Sequence, residues 1–144
     1  TQYANPEKEL EGILTRIQME DLDDVAILVP SDKEVMMVND YLAKHGIKTQ
    51  VMYRTGNTVP FRTVNTLDFS NNDLPCILTY YAAKGSEFDN VFVPFANTSN
   101  DCSRNSFYVA CTRSSRSLYI SFSGTKTKYL SDVNSDFITE LKVA

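Results

Sequence analysis

At 144 residues the chain is sized for one domain with a real core. Its 42% hydrophobic and 11% aromatic content is that of an ordinary globular protein. No apolar run reaches the length of a membrane span, and the opening T-Q-Y-A-N-P-E-K-E-L lacks a signal peptide's basic and apolar regions, so a cytoplasmic protein is expected. The net charge of −4 argues against a protein that coats nucleic acid indiscriminately.

The charge is unevenly spread. Residues 1–50 hold ten acidic and five basic side chains, whereas residues 84–128 hold six basic and three acidic ones, as an anion-binding surface would. Cys76, Cys102 and Cys111 are odd in number and show no C-x-x-C spacing, which fits reduced thiols better than a disulfide or a metal site. The chain opens on Thr1 rather than on methionine, and a piece of a longer polypeptide is expected.

Taken in order, Pro6 to Met19 reads as a helix. Asn5 is its N-cap, Pro6 its first residue, and Glu7 and Glu9 complement the dipole in the first turn. Leu10, Ile13, Leu14 and Ile17 fall on one face, which docks on the body of the domain. The acidic E-D-L-D-D that follows is a turn. Val25 to Val29 is an apolar run, the mark of a strand buried on both faces. Pro30 stops it, and Ser31 or Asp32 can cap a helix from about Lys33 to His45 that turns Val35, Val38, Leu42 and Ala43 inward and closes at Gly46. With a strand from about Lys48 to Tyr53, this makes a strand–helix–strand crossover and commits the fold to a parallel sheet. His45, the single histidine, suits the helix C-terminus when charged, and that explains it better than catalysis does.

Arg62 to Leu67 alternates enough to be an edge strand. Cys76 to Tyr80 and Val91 to Val93 read as buried strands joined by a polar loop that carries Lys84, Gly85, Glu87 and Asp89. Loops at the ends of buried parallel strands are where open α/β sheets place ligand-binding groups. The segment from Asn97 to Arg104 is polar and loop-like. A helix from Asn105 to Ser114, a strand from Leu118 to Phe122 and an amphipathic stretch from Asp132 to Leu141 complete the chain.

Two motifs carry a resemblance. L-T-x-x-x-A-K-G-x-E-F-D-x-V-F-x-P, within residues 76–94, resembles motif V of the UvrD/Rep/PcrA-type superfamily I DNA helicases, and F-Y-V-A-C-T-R-S-S-R-S-L-Y-I-S, from Phe107 to Ser121, resembles motif VI. With a motif IV-like region at 25–53 and a motif VI-like region spanning 104–122, the resemblance covers about Val25 to Ser123. It implies a single RecA-like α/β domain of the P-loop-NTPase type, with a mostly parallel sheet flanked by helices on both faces. The chain is too short for the accessory domain that larger members insert. It implies the second, C-terminal motor domain of an ATP-dependent helicase or translocase.

By the same resemblance Arg113 is the arginine finger that reaches the ATP held by the first motor domain, and Thr112 supports it as a nucleotide-binding residue. Glu87 matches the glutamate that bonds the nucleotide ribose, and Gly85 lets the backbone approach a phosphate. Thr79 matches the threonine that contacts single-stranded DNA. Tyr81 stands where the family commonly has histidine and can stack on a base, although either Tyr80 or Tyr81 is expected to be core. Lys84 and Arg116 are candidate DNA-phosphate contacts or plain surface charges, and Arg116 shares a face with Arg113 only if the helix continues that far.

Two departures stand out: Pro30 replaces the usual second γ-phosphate-sensing arginine, which Arg54 would have to supply, and Ser86 replaces a leucine. The chain has no G-x-x-x-x-G-K-S/T loop and no recognisable acidic pair to bring in Mg²⁺. ATP with Mg²⁺ would therefore be held mainly by an absent N-terminal motor domain, and the isolated chain is expected not to hydrolyse ATP. No metal site of its own is expected. The partners implied are that domain and single-stranded DNA. The alternative is a non-catalytic helicase-like module that binds DNA or assembles a repair complex.

Overall fold

A computed structural model describes residues 2–55, 62–68, 73–96 and 104–123. In chain order these form β1 (Gln2–Tyr3), α1 (Pro6–Met19), β2 (Val25–Val29), α2 (Asp32–Lys44), β3 (Gln50–Thr55), β4 (Arg62–Asn65), β5 (Cys76–Thr79), β6 (Phe88–Val93), α3 (Arg104–Cys111), β7 (Ser114–Ile120) and β8 (Phe122–Ser123). The main sheet has the order β4-β3-β5-β2-β6-β7. All its neighbours are parallel except β3 and β4; β4 is the edge strand that the alternation at residues 62–67 suggested, and it runs antiparallel.

The period-2 pattern of the central strands sorts their side chains into two layers. Val25, Ile27 and Val29 of β2 join Ile77 and Phe92 under α1 and α2, where Leu10, Ile13, Leu14, Val35, Val38 and Leu42 meet them. Ala26 and Leu28 join Leu78, Val91 and Val93 on the opposite face, which α3 covers with Phe107 and Ala110. Helices therefore cover both faces of a mostly parallel sheet, the RecA-like arrangement expected.

Local chemistry sets the element ends. Asn5 caps α1, its side-chain oxygen accepting the Lys8 N–H at 2.9 Å. The acidic turn closes the same helix: Leu22 N–H donates to Ile17 O across Asp21, which has a left-handed φ of 48°. At α2, Ser31 directs its hydroxyl to the Glu34 carboxylate and makes no backbone cap bond. The far end closes as read. Gly46 has φ of 77° and donates to Ala43 O, while Ile47 donates to Leu42 O.

Three features differ from the sequence reading. The last described helix ends at Cys111, and Ser114 already belongs to β7, which begins four residues before Leu118. The polar run Ser114–Ser117 is a strand because it pairs with the start of β6, a tertiary influence that no local periodicity announces. The short parallel pair β1–β8 ties Gln2 to Phe122 and Tyr3 to Ser123. Finally, Glu9 of α1 is fully buried rather than a solvated dipole partner. It accepts the Phe95 N–H at 2.9 Å and the Ser121 hydroxyl at 3.0 Å. The amphipathic stretch at 132–141 and the polar loop at 97–103 lie outside the described residues.

Candidate functional site

The chemistry-bearing residues sit at two ends of the parallel sheet. At the end where β6 and β7 begin, α3 delivers its last turn directly into β7. Arg113 N–H donates to Ala110 O at 3.2 Å, and Arg113 O accepts the Phe88 N–H at 2.8 Å, so the arginine backbone is fixed to the first residue of β6. Its guanidinium lies back along the same elements. Nε donates to Val109 O at 3.0 Å, Nη1 to Ser86 O at 3.4 Å and Nη2 to Thr112 Oγ1 at 3.1 Å. All three acceptors are neutral oxygens, so these bonds orient the cation without neutralising it. A guanidinium has five N–H groups, and among the described residues one on each terminal nitrogen has no acceptor, which suits a bidentate partner.

Glu87 stands between the two residues that meet Arg113, Ser86 and Phe88. It is exposed, as are Lys84 and Gly85. Gly85 has φ of 84°, a left-handed conformation that a side chain would strain, and nothing lies within contact range of where its Cβ would be. The predicted nucleotide residues Gly85, Glu87, Thr112 and Arg113 therefore share one end of the sheet.

A second network there was not legible in the sequence. Asp89 N–H donates to Asp24 Oδ2 at 3.0 Å, Ser115 donates to Asp89 Oδ1 at 2.9 Å, and Asn90 Nδ2 donates to Asp23 O at 2.8 Å. It anchors the acidic turn before β2 to β6. Burial, then the nearby Asp24 charge, pushes the Cys76 thiol up to about 11, so this cysteine stays a neutral thiol.

Thr79 and Tyr81 lie at the other end, where β2 and β5 finish in register at Val29 and Thr79. Between the ends the chain runs only from Tyr80 to Glu87, short for a parallel crossover. It is a run of successive hydrogen-bonded turns: Thr79 Oγ1 accepts the Ala82 N–H at 3.1 Å, Thr79 O that of Ala83 at 3.1 Å, Tyr81 O that of Lys84 at 3.2 Å and Ala83 O that of Ser86 at 3.0 Å. The structure separates the two tyrosines. Tyr80 is 4% exposed and meets Phe107 edge-on, with ring centroids 6.3 Å apart, whereas Tyr81 is 82% exposed.

Arg116 does not share a helical face with Arg113. It is an exposed residue of β7 at a bulge: Phe88 pairs with Ser114 and Asn90 with Ser117, so Ser115 and Arg116 together oppose Asp89. Pro30 and Arg54 are not brought to Arg113 either. Pro30 follows β2 and Arg54 lies in the second half of β3, both toward the end of the sheet occupied by Thr79. Among the described residues, no cluster of histidine, cysteine, aspartate and glutamate could hold a metal ion, and no helix is long and apolar enough to cross a membrane.

Residues 75–121, from the residue before β5 through the residue after β7, match the family model of the UvrD-like helicase C-terminal domain. Solved structures show the same fold. The chain is similar to the C-terminal domain of a possible DNA helicase from Lactobacillus plantarum WCFS1, with a TM-score of 0.71 at 22% identity, over 94% of this chain and 81% of that one. It is also similar to the PRRSV nsp10 helicase. A truncated form gives a TM-score of 0.54 at 12% identity over 91% of this chain and 43% of that one. Another structure of nsp10 gives 0.53 at 14% identity over 96% and 27%. The chain thus spans less than half the length of those viral helicase chains. No curated protein sequence matches the chain.

Proposed function

We propose that this chain is the C-terminal motor domain of an ATP-dependent superfamily I DNA helicase or translocase. The observation that carries this reading is Arg113. It is oriented by three neutral acceptors and lies against the Gly85–Glu87 loop inside the family-matched segment. Phosphoryl transfer needs positive charge where the γ-phosphate charge redistributes, and a pre-aimed guanidinium supplies it. A nucleotide fits this end of the sheet. Among the described residues Arg113 has two N–H donors without an acceptor, Gly85 leaves open space for close approach, and Glu87 is an exposed acceptor suited to a ribose hydroxyl. ATP with Mg²⁺ would supply the scissile phosphoanhydride. The groups that grip its phosphates and its metal belong to an N-terminal motor domain, without which this chain does not turn ATP over.

At the opposite end the exposed Tyr81 ring offers a face on which a base of single-stranded DNA stacks, and the Thr79 hydroxyl retains a proton for a phosphate. Lys84 and Arg116 are exposed cations at the Arg113 end, and they contact the strand's backbone only if its path extends that far. Cleft closure around ATP and reopening after hydrolysis then convert these contacts into steps along the strand.

The test is DNA-stimulated ATP turnover by the full-length protein, with Arg113→Ala beside it. A loss of about a thousandfold or more is expected of an arginine finger. Unchanged turnover would refute the role given to Arg113. Pro30, which brings no charge to the end of β2, favours a second reading, a non-catalytic module that binds DNA or assembles a repair complex. Wild-type protein that binds DNA but turns over no ATP would establish that one.

A further inference from the structure

The hydroxyl of Thr112 is placed for a different task from direct contact with a nucleotide. It donates its proton to Val109 O at 2.9 Å and accepts Nη2–H of Arg113 at 3.1 Å. Val109 O also accepts Nε–H of Arg113 at 3.0 Å, so the threonine hydroxyl, the carbonyl and the guanidinium close a ring of three hydrogen bonds. A hydroxyl has a single proton and two lone pairs. With that proton on Val109 O, Thr112 presents only a lone pair outward. A phosphate oxygen needs a donor and would meet an acceptor instead. A guanidinium needs an acceptor, and that is what Thr112 gives it.

We propose that Thr112 is a positioning residue for Arg113: it fixes the guanidinium against the last turn of α3, and it acts on the reaction only through that arginine. The ring has a mechanical logic. Arginine has long, freely rotating methylene links, and ordering them when the transition state forms would cost side-chain entropy. Val109 O and Thr112 Oγ1 lie within one helical turn of Arg113 and hold Nε and Nη2, the two nitrogens on one edge of the fork. Ser86 O holds Nη1 from the neighbouring loop. The arginine is ordered before any ligand arrives, as electrostatic preorganisation requires. This inference rests on the reading of Arg113 as the finger, and its test separates the two.

Three variants are informative. Thr112→Val keeps the shape and removes the hydroxyl, Thr112→Ser keeps the hydroxyl, and Arg113→Lys identifies the Arg113 Nε–H resonance by its loss. The first readout is the position and solvent-exchange rate of that resonance in this chain without nucleotide. Thr112→Val is expected to shift it and speed its exchange, and Thr112→Ser to restore both. An unchanged resonance in Thr112→Val would overturn the proposal whatever the turnover does. The second readout is ATP turnover by the full-length protein. Loss of one charge-assisted hydrogen bond predicts a roughly tenfold fall in kcat for Thr112→Val, with KM for ATP held and kcat recovered in Thr112→Ser. A rise in KM at unchanged kcat would instead make Thr112 a direct nucleotide ligand and overturn the proposal. If Thr112→Val moves the resonance but the wild type and Arg113→Ala turn over ATP equally, the finger reading fails while the arginine clamp stands.

Discussion

The two ends of the parallel sheet are built differently. Where β6 and β7 begin, polar groups are held in place: Arg113 by Val109, Ser86 and Thr112, and Asp89 by Asp24 and Ser115. Where β2 and β5 finish, the most prominent group is the Tyr81 ring, 82% exposed. Behind that end, buried Glu9 ties α1 to Phe95 and Ser121, just beyond β6 and β7. The contrast follows the proposed division of labour. A charge meant for a transition state must be aimed in advance, because small misplacement costs rate. A face meant to stack on successive bases works for any base and needs no fixed partner.

The sharpest way to break this comparison is to compare variants at the two ends. Arg113→Ala is expected to lower turnover about a thousandfold or more while the Kd for single-stranded DNA holds. Tyr81→Ala should weaken DNA binding by about 1–3 kcal/mol in a titration, and Tyr81→Phe should keep it, because stacking needs the ring and not the hydroxyl. If Tyr81→Ala left binding intact, the exposed ring would have no part in the track. Gly85→Ala should cost about 1–2 kcal/mol of stability in a denaturant melt, the usual penalty for a side chain in the left-handed region.

The smallest effect is expected at Glu9. Burial raises its carboxyl pKa, against the lowering influence of the Phe95 N–H and the Ser121 and Ser123 hydroxyls. Its folded-state pKa lies above the unfolded value. The stability it contributes is therefore fully present below the ordinary glutamate range and is lost as pH rises through the folded-state value. Glu9→Gln keeps an acceptor for Phe95 and removes that loss. Its Tm should exceed wild type near pH 7 and converge with it in acid. A wild type that stays the more stable at every pH would show that the bonds outweigh burial.

The central strands were legible because burial on both faces leaves an apolar run that few other settings produce, as in Val25–Val29 and Cys76–Thr79. The Asn5 cap and the Gly46 closure were legible because they rest on local backbone chemistry. What escaped depends on distant partners. No property of Glu9 itself announces that Phe95 and Ser121 will surround it. Ser114–Ser117 becomes strand through β6, and the insertion of β5 between β2 and β3 is a matter of sheet order, which local pattern does not encode. At the candidate site the residue types Arg113, Gly85 and Glu87 could be read from the motifs. The carbonyls of Val109 and Ser86 that hold the arginine could not, because every residue has one.

The turn between β5 and β6 has a consequence for exchange with solvent. The Ala82 and Ala83 amides bond to Thr79, that of Lys84 to Tyr81 O and that of Ser86 to Ala83 O, while Ser86 O holds Arg113. Each bond shares a residue or a turn with the next, so opening one loosens the others. Their protons should exchange as one unit at a single opening free energy, distinct from that of the strands on either side. Loosening Gly85 should then speed all of them together, including amides at the far end of the turn beside Thr79.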